Sequence, residues 1–270
     1  MARTGLTDAE VETAAAMLLE AERSRVQVRP TSVLFPRMTL DDAYRIQAEV
    51  VARKLADGRR VVGRKIGLTS RAMQQAMQID EPDYGTLLDD MVVTSGAELE
   101  AAAFTDPRIE VELALVLDRP LTGAAATVDD VLAATREVVP ALEIIAARSH
   151  RIDPETGRPR GLLDTVSDNA ASAAVVLGEP LAPDAVDMRW CGAILYRNGV
   201  VEETGLGAAV LDHPAHGALW LARRFAAHGI ALEAGQLVLT GSFTRAVPIA
   251  AGDEFVADYG PHGTVTCRFR

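Results

Sequence analysis

Glu110 and Glu112 stand two residues apart inside the apolar run 109–117, and Glu143 stands inside a second apolar run, 138–145. In a strand, side chains at i and i+2 point to one face, so Glu110 and Glu112 project together while Val111, Leu113, Leu115 and Leu117 pack on the other side. The acidic face continues as Ala114 and Val116, an apolar surface and not the solvated edge that alternating charges usually mark. Two carboxylates about 4 Å apart repel by roughly 4 kcal/mol at an effective dielectric near 20, and a third raises that cost. Either the carboxyls hold protons or a cation sits among them. Three oxygen ligands suit a hard divalent ion, Mg²⁺ or Mn²⁺, and the pattern favours that reading.

Other residues are less decisive taken singly. Lys65 lies between Gly63 and Gly67, which would let a ligand or another backbone approach a buried ammonium. A surface lysine at a strand end fits the same pattern. Near three carboxylates and a metal the sign of its pKa shift stays open, because desolvation and the ion lower it and the acids raise it. Asp83 falls in the turn-rich stretch 79–87, where acids commonly satisfy their own backbone. The segment 241–245 follows a predicted strand and offers the Ser242 and Thr244 hydroxyls, backbone N–H groups and Arg245 to a substrate carboxylate, or is an ordinary loop. Arg148 and Arg151, with Arg158 and Arg160 downstream, form the one basic cluster of an acidic chain, suited to an anionic substrate or to solvent. His213 and His216 read as a helix cap and a surface residue. No Gly-x-Ser-x-Gly elbow and no evident Cys–His pairing point to nucleophilic catalysis.

The elements that must position these groups divide the chain into a helical beginning and a β-rich remainder. Thr7 and Glu10 have capping-box spacing ahead of a helix reaching about Arg23, and Thr39 to Asp42 caps a second that ends before Gly58. From Val61 the pattern becomes short β-like runs, with a further helix opened by His213-Pro214 and a last pair of strands near 237–240 and 263–269. The expected organisation is α+β: residues 1–60 a small helical N-terminal region, and residues 61–270 a larger mixed β-roll carrying the metal site.

The 270 residues carry a formal charge of −11 and are 49% hydrophobic, a balance that excludes extended disorder and argues against a phosphate-backbone partner. Nucleic acid and membrane are therefore not expected partners. Cys191 and Cys267 have no metal-ligand spacing and suit a reducing compartment, and the N-terminus lacks the apolar stretch of a signal peptide, so a cytoplasmic location is expected.

Several segments together resemble the fumarylacetoacetate-hydrolase superfamily, in particular its hydratase and decarboxylase branch from aromatic meta-cleavage pathways. These are Gly63-Arg64-Lys65-Ile66-Gly67-Leu68-Thr69-Ser70, Asp83-Tyr84-Gly85, Arg108-Ile109-Glu110-Val111-Glu112, Ala141-Leu142-Glu143-Ile144, Asp164-Thr165-Val166-Ser167-Asp168-Asn169 and Gly241-Ser242-Phe243-Thr244. Ala146 and Ala246 depart from the pattern, where an acid and a proline would be expected. The resemblance implies a divalent metal on Glu110, Glu112 and Glu143, with Lys65 and Asp83 beside the reacting carbons. It implies addition of water across a carbon–carbon double bond of a small 2-oxo diacid. The far carboxylate of such a substrate needs a cation, and Arg148, five residues past Glu143, is the expected partner. Hydration of the shorter monoacid 2-oxopent-4-enoate, decarboxylation of 4-oxalocrotonate, hydrolytic carbon–carbon cleavage and a non-catalytic partner subunit are the competing readings. A homo-oligomer, with a ring of dimers as one arrangement, and association with a pathway aldolase or decarboxylase are also implied.

Overall fold

The Thr7 hydroxyl accepts the Glu10 N–H while Glu10 accepts the Thr7 N–H, so the predicted capping box starts helix α1 (Asp8–Ser24). Thr39 and Asp42 exchange the same bonds at the start of α3 (Leu40–Ala56), after the short α2 (Thr31–Leu34). The computed structural model describes residues 5–71, 74, 75, 79 and 81–270; the N-terminal residues 1–4 read above for a leader, and Asp80 of the predicted turn, lie outside the described residues. Val11, Ala15 and Leu18 of α1 pack on Ala43, Ile46 and Val50 of α3, and Val166 of α5 (Leu162–Ser167) completes that cluster. The helical region thus closes its core with a residue from far along the chain. Gln47 adds a polar tie, donating to the Tyr84 and Val166 carbonyls.

The rest is built from two mixed sheets, with strands β1 (Val61–Gly67), β2 (Asp83–Leu88), β3 (Val92–Thr94), β4 (Ala97–Leu99), β5 (Pro107–Leu117), β6 (Thr135–Ala146), β7 (Ser172–Leu177), β8 (Gly192–Arg197), β9 (Val200–Leu206), β10 (Leu237–Ser242), β11 (Val247–Pro248), β12 (Glu254–Asp258) and β13 (Thr264–Phe269). The larger sheet runs β2-β1-β10-β5-β6-β7-β3, with β11 also on β5; the smaller runs β4-β13-β12-β8-β9. Pairs β1–β10, β3–β7 and β4–β13 are parallel and the others antiparallel. Helix α4 (Val128–Ala134) precedes β6, and α6 (Pro214–Ala226) precedes β10. His213 caps α6 by accepting the Ala215 N–H, as its place before Pro214 suggested.

Strand β5 obeys its predicted alternation. Ile109, Val111, Leu113, Leu115 and Leu117 enter the main core, shared with the smaller sheet and α6. Ala114 belongs to a separate apolar cluster with Leu87, Ala141, Val175 and Leu239 on the opposite face, and Glu110 and Glu112 share its side of the strand. Across a flat sheet, β1 and β6 would lie about 14 Å apart with two strands between them. Yet Lys65 Nζ of β1 reaches within 3.3 Å of Glu143 Oε2 of β6. The large sheet therefore curls into a roll whose concave side gathers the polar groups of four strands. No helix among the described residues is long and apolar enough to cross a membrane.

Candidate active site

Antiparallel pairing of β5 with β6 sets Glu110 directly opposite Glu143, so the third acid arrives by register. One oxygen from each of Glu110, Glu112 and Glu143 lies within 4.8 Å of the others. Mg²⁺ takes oxygen ligands at about 2.0–2.1 Å, so oxygens on opposite sides of an ion stand about 4.2 Å apart, within a small side-chain adjustment of this spacing.

Glu112 and Glu143 are buried and Glu110 is partly so. Burial, reinforced by Glu143, pushes Glu110 up to about 7 and Glu112 well above the usual carboxylate range. Burial likewise raises Glu143, against the pull of Lys65. Neither oxygen of Glu143 has a hydrogen-bond partner among the described residues; Lys65 is at ion-pair distance without the alignment of a hydrogen bond. The three carboxylates crowd around one ammonium that Asp83 shares, and a divalent cation would offset their excess negative charge. The donor set fits such an ion.

The backbone is shaped around this triad. Leu239 of β10 pairs with Ala114, but Ser242 and not Gly241 pairs with Glu112, so one extra residue bulges from β10. The bulge places Gly241 at φ +117° and turns its N–H to Glu112 Oε2 at 2.9 Å. A methyl group at Gly241 would lie 2.3 Å from Thr69 Oγ1, so glycine is required twice over. Tyr259, which the sequence reading missed, wedges its buried hydroxyl between β5 and β6, 2.8 Å from the Glu112 carbonyl and 2.7 Å from that of Ala141. It pins the two glutamate strands at the height of the site. No local pattern around Tyr259 signals that role.

Lys65 and Asp83 are both buried on adjacent strands, where Gly67 pairs with Asp83. They converge over Gly67: a methyl there would lie 2.3 Å from Asp83 Oδ1 and 3.4 Å from Lys65 Nζ. Burial of Lys65 would lower its pKa, but Glu143, Asp83, Glu110 and Glu112 outweigh it and raise it. Burial raises Asp83 above the ordinary carboxylate range, with Lys65 and Arg160 opposing. Both Asp83 oxygens lack a hydrogen-bond partner among the described residues. These groups open on a cavity of about 320 Å³ whose lining includes Lys65, Asp83, Glu110, Arg108, Arg151 and Arg160. Ala246, at the expected proline position, also lines it.

Arg148 is not among those residues, and the expectation that it meets a substrate carboxylate is corrected. Arg148 is 4% exposed and its guanidinium is satisfied internally, pairing with Glu22 at 3.0 Å and Asp168 at 3.4 Å and donating to the Ser172 and Ala146 carbonyls. The chain leaves β6 at Ala146, so distance along the sequence from Glu143 did not translate into a shared face. Ser242 and Thr244 are likewise turned to structural work: the Ser242 hydroxyl donates to the Val111 or Thr244 carbonyl and Thr244 Oγ1 accepts the Val111 N–H. They hold the loop that presents the Gly241 N–H. Of the basic loop, Arg151 pairs with Asp106, and Arg160 pairs with Asp168 at 3.0 Å while facing the cavity.

A curled mixed sheet bearing three acidic side chains on its concave face, with a lysine and an aspartate beside them, defines a class of small-molecule enzyme. The family pattern for the fumarylacetoacetate (FAA) hydrolase C-terminal domain matches residues 53–270, and the chain belongs to that family. Among characterised relatives it is 55% identical over 251 residues, 93% of this chain and 94% of the other, to 2-oxo-hept-4-ene-1,7-dioate hydratase of Escherichia coli. It is 39% identical to 2-keto-4-pentenoate hydratase of Paraburkholderia xenovorans, covering 98% and 96% of the two chains. The solved structure of 4-oxalocrotonate decarboxylase from Pseudomonas putida G7, complexed with magnesium and adipate, superposes with a TM-score of 0.93 at 35% identity, covering 99% of this chain and 100% of that one.

Proposed function

We propose that the protein is a divalent-metal-dependent hydratase that adds water to 2-oxohept-4-ene-1,7-dioate, or to its dienol, giving 4-hydroxy-2-oxoheptanedioate. The similarity to the E. coli hydratase along nearly the whole chain carries this reading, and the grouping of Glu110, Glu112 and Glu143 with Lys65 and Asp83 beside them supports it. Mg²⁺, or Mn²⁺ in its place, would be held by the three glutamates. When bound, the ion supplies electrophilic stabilisation of negative charge developing at the 2-oxo oxygen.

The chain's own groups do the rest. Lys65 and Asp83, buried side by side over Gly67, deliver a proton to C5 as the dienol gives up its 2-hydroxyl proton, then take a proton from the water whose oxygen bonds to C4 and return one to C3. The curled sheet keeps bulk water from that pair, and Gly241 and Tyr259 hold the carboxylates in register. The proposed setting is homoprotocatechuate catabolism in the cytoplasm. Exposed Trp190, Val200 and Val201 around the β8–β9 hairpin support assembly into a homo-oligomer such as a ring of dimers. A pathway aldolase or decarboxylase is the proposed neighbour.

Incubation of the Mg²⁺-loaded protein with the five-carbon monoacid, six-carbon diacid and seven-carbon diacid dienoates, followed by mass analysis, tests the assignment. Gain of one water with the seven-carbon diacid is expected. Loss of CO₂ from the six-carbon diacid without hydration would replace the proposal by a decarboxylase, and turnover of none by a non-catalytic subunit.

A further inference from the structure

Three arginines reach the cavity, and they differ in one respect. Arg151 is paired with Asp106 and Arg160 with Asp168. Arg108 has no ion pair, and its buried Nε has no hydrogen-bond partner, among the described residues. A guanidinium that is partly buried and unpaired costs free energy unless an anion completes it.

Arg108 lies on β5 two residues before Glu110, opposite Ile145 of β6 and Pro248 of β11. Strand alternation gives Arg108, Glu110 and Glu112 one face, with Arg108 one step of about 7 Å outward from Glu110. A second cation sits beside it: Arg151 is lowered by burial, and Arg108 lowers it further while Asp106 opposes. Two like charges directed into one cavity, one of them without a partner, make an anion site.

We infer that Arg108, flanked by Arg151, receives the distal carboxylate of the substrate and selects a diacid over a monoacid. This rests on the proposed function, since it takes the 2-oxo acid end of the substrate to lie at the three glutamates. The dimensions agree. Six carbon–carbon bonds near 1.5 Å carry an extended seven-carbon chain about 7–8 Å from C1 to C7, which is one same-face strand step. A substrate anchored at the glutamates ends at the level of Arg108, where a planar guanidinium can take a carboxylate through two parallel bonds.

Unreactive analogues separate this inference from the reaction. 2-Oxoheptanedioate and 2-oxoheptanoate have the same length and differ only in whether C7 is a carboxylate or a methyl group. Calorimetric titration of each into the Mg²⁺-loaded wild type should show at least about tenfold tighter binding of the diacid, equivalent to about 1.4 kcal/mol. Arg108→Leu should erase that ratio, and Arg108→Lys should restore part of it, because a point charge survives without the fork. Where Arg108→Leu does not fold, Arg108→Gln reads the same ratio with a polar tip and shorter stem.

A wild type without preference, a leucine variant that keeps the preference, or equal weakening of both ligands would each overturn the inference. Hydration of the seven-carbon dienoate by the wild type is scored separately. Its failure would remove the proposed reaction while leaving the binding ratio to decide the role of Arg108.

Discussion

Replacing Arg148 by leucine should lower stability and leave substrate selection alone. The guanidinium sits between α1 and the β body, bonded to Glu22, Asp168 and the carbonyls of Ser172 and Ala146. Removing one member of a buried ion pair typically costs about 3–5 kcal/mol because its partner is left without a counter-charge. Here both acids retain a second cation, Glu22 with Lys54 at 2.6 Å and Asp168 with Arg160 at 3.0 Å, which places the loss near the low end, about 3 kcal/mol. For 270 residues the unfolding entropy is about 570 cal/mol/K, so Tm should fall by about 5 °C. The pH dependence gives an independent handle. Burial would raise Glu22, but Arg148 and Lys54 outweigh it and hold it at about 2 against an ordinary value of 4.5. A depressed carboxyl contributes stability above its unfolded pKa and loses it as pH falls from 4.5 through about 2. With about a third of the side chain open to solvent, that contribution is about 1–2 kcal/mol, and Arg148→Leu should shrink it. Thermal melts from pH 2 to 7, together with kcat/KM for diacid and monoacid dienoates, read both effects. An unchanged Tm with a collapsed diacid preference would refute this placement and return Arg148 to the substrate.

Other consequences follow from the same geometry. Lys65→Ala should cut turnover by at least about a hundredfold while the protein still binds Mg²⁺ by calorimetry, as expected for loss of a proton-transfer group; near-normal turnover would remove Lys65 from the chemistry. Gly67→Ala drives a methyl into Asp83 Oδ1 and should impair kcat without weakening Mg²⁺ binding, whereas a fully active variant would show that the position of Asp83 is unimportant. The raised glutamates make the metal-free fold bind more protons than the unfolded chain between pH 4.5 and about 7, so its Tm should fall as pH rises through that window and Mg²⁺ should restore it. A metal-free Tm that climbs across the same range would contradict the arrangement of the acids.

Which parts of this were legible in the sequence depends on whether their cause is local. Glu110 and Glu112 follow from strand alternation, and the capping boxes at Thr7 and Thr39 from spacing within one turn. Arg108 obeys the same alternation as Glu110, yet its significance emerged only when the ion pairs of Arg151 and Arg160 were known. Glu143 stood out as a charge in an apolar run, but its place opposite Glu110 is a property of register between strands more than thirty residues apart. Asp83 looked like a turn residue because Asp80, Glu81 and Pro82 precede it and Gly85 follows; pairing with Gly67 makes it the first residue of β2. Arg148 was misread because its partner Glu22 lies 126 residues away, on a helix whose packing against the roll no local pattern encodes. Tyr259 was missed for the same reason, since its bonds to the Glu112 and Ala141 carbonyls exist only once β5 and β6 are assembled.

The central claim is that three glutamates hold a divalent ion required for hydration, and isotope labelling tests it most directly. The protein is stripped with chelator, divided, and one half restored with Mg²⁺; both halves receive the seven-carbon dienoate in H₂¹⁸O. The account predicts 4-hydroxy-2-oxoheptanedioate labelled at the C4 hydroxyl from the restored half alone, with Glu112→Gln failing to recover on adding metal. Equal formation of that product by the stripped half, with no metal detectable in it, would contradict the account.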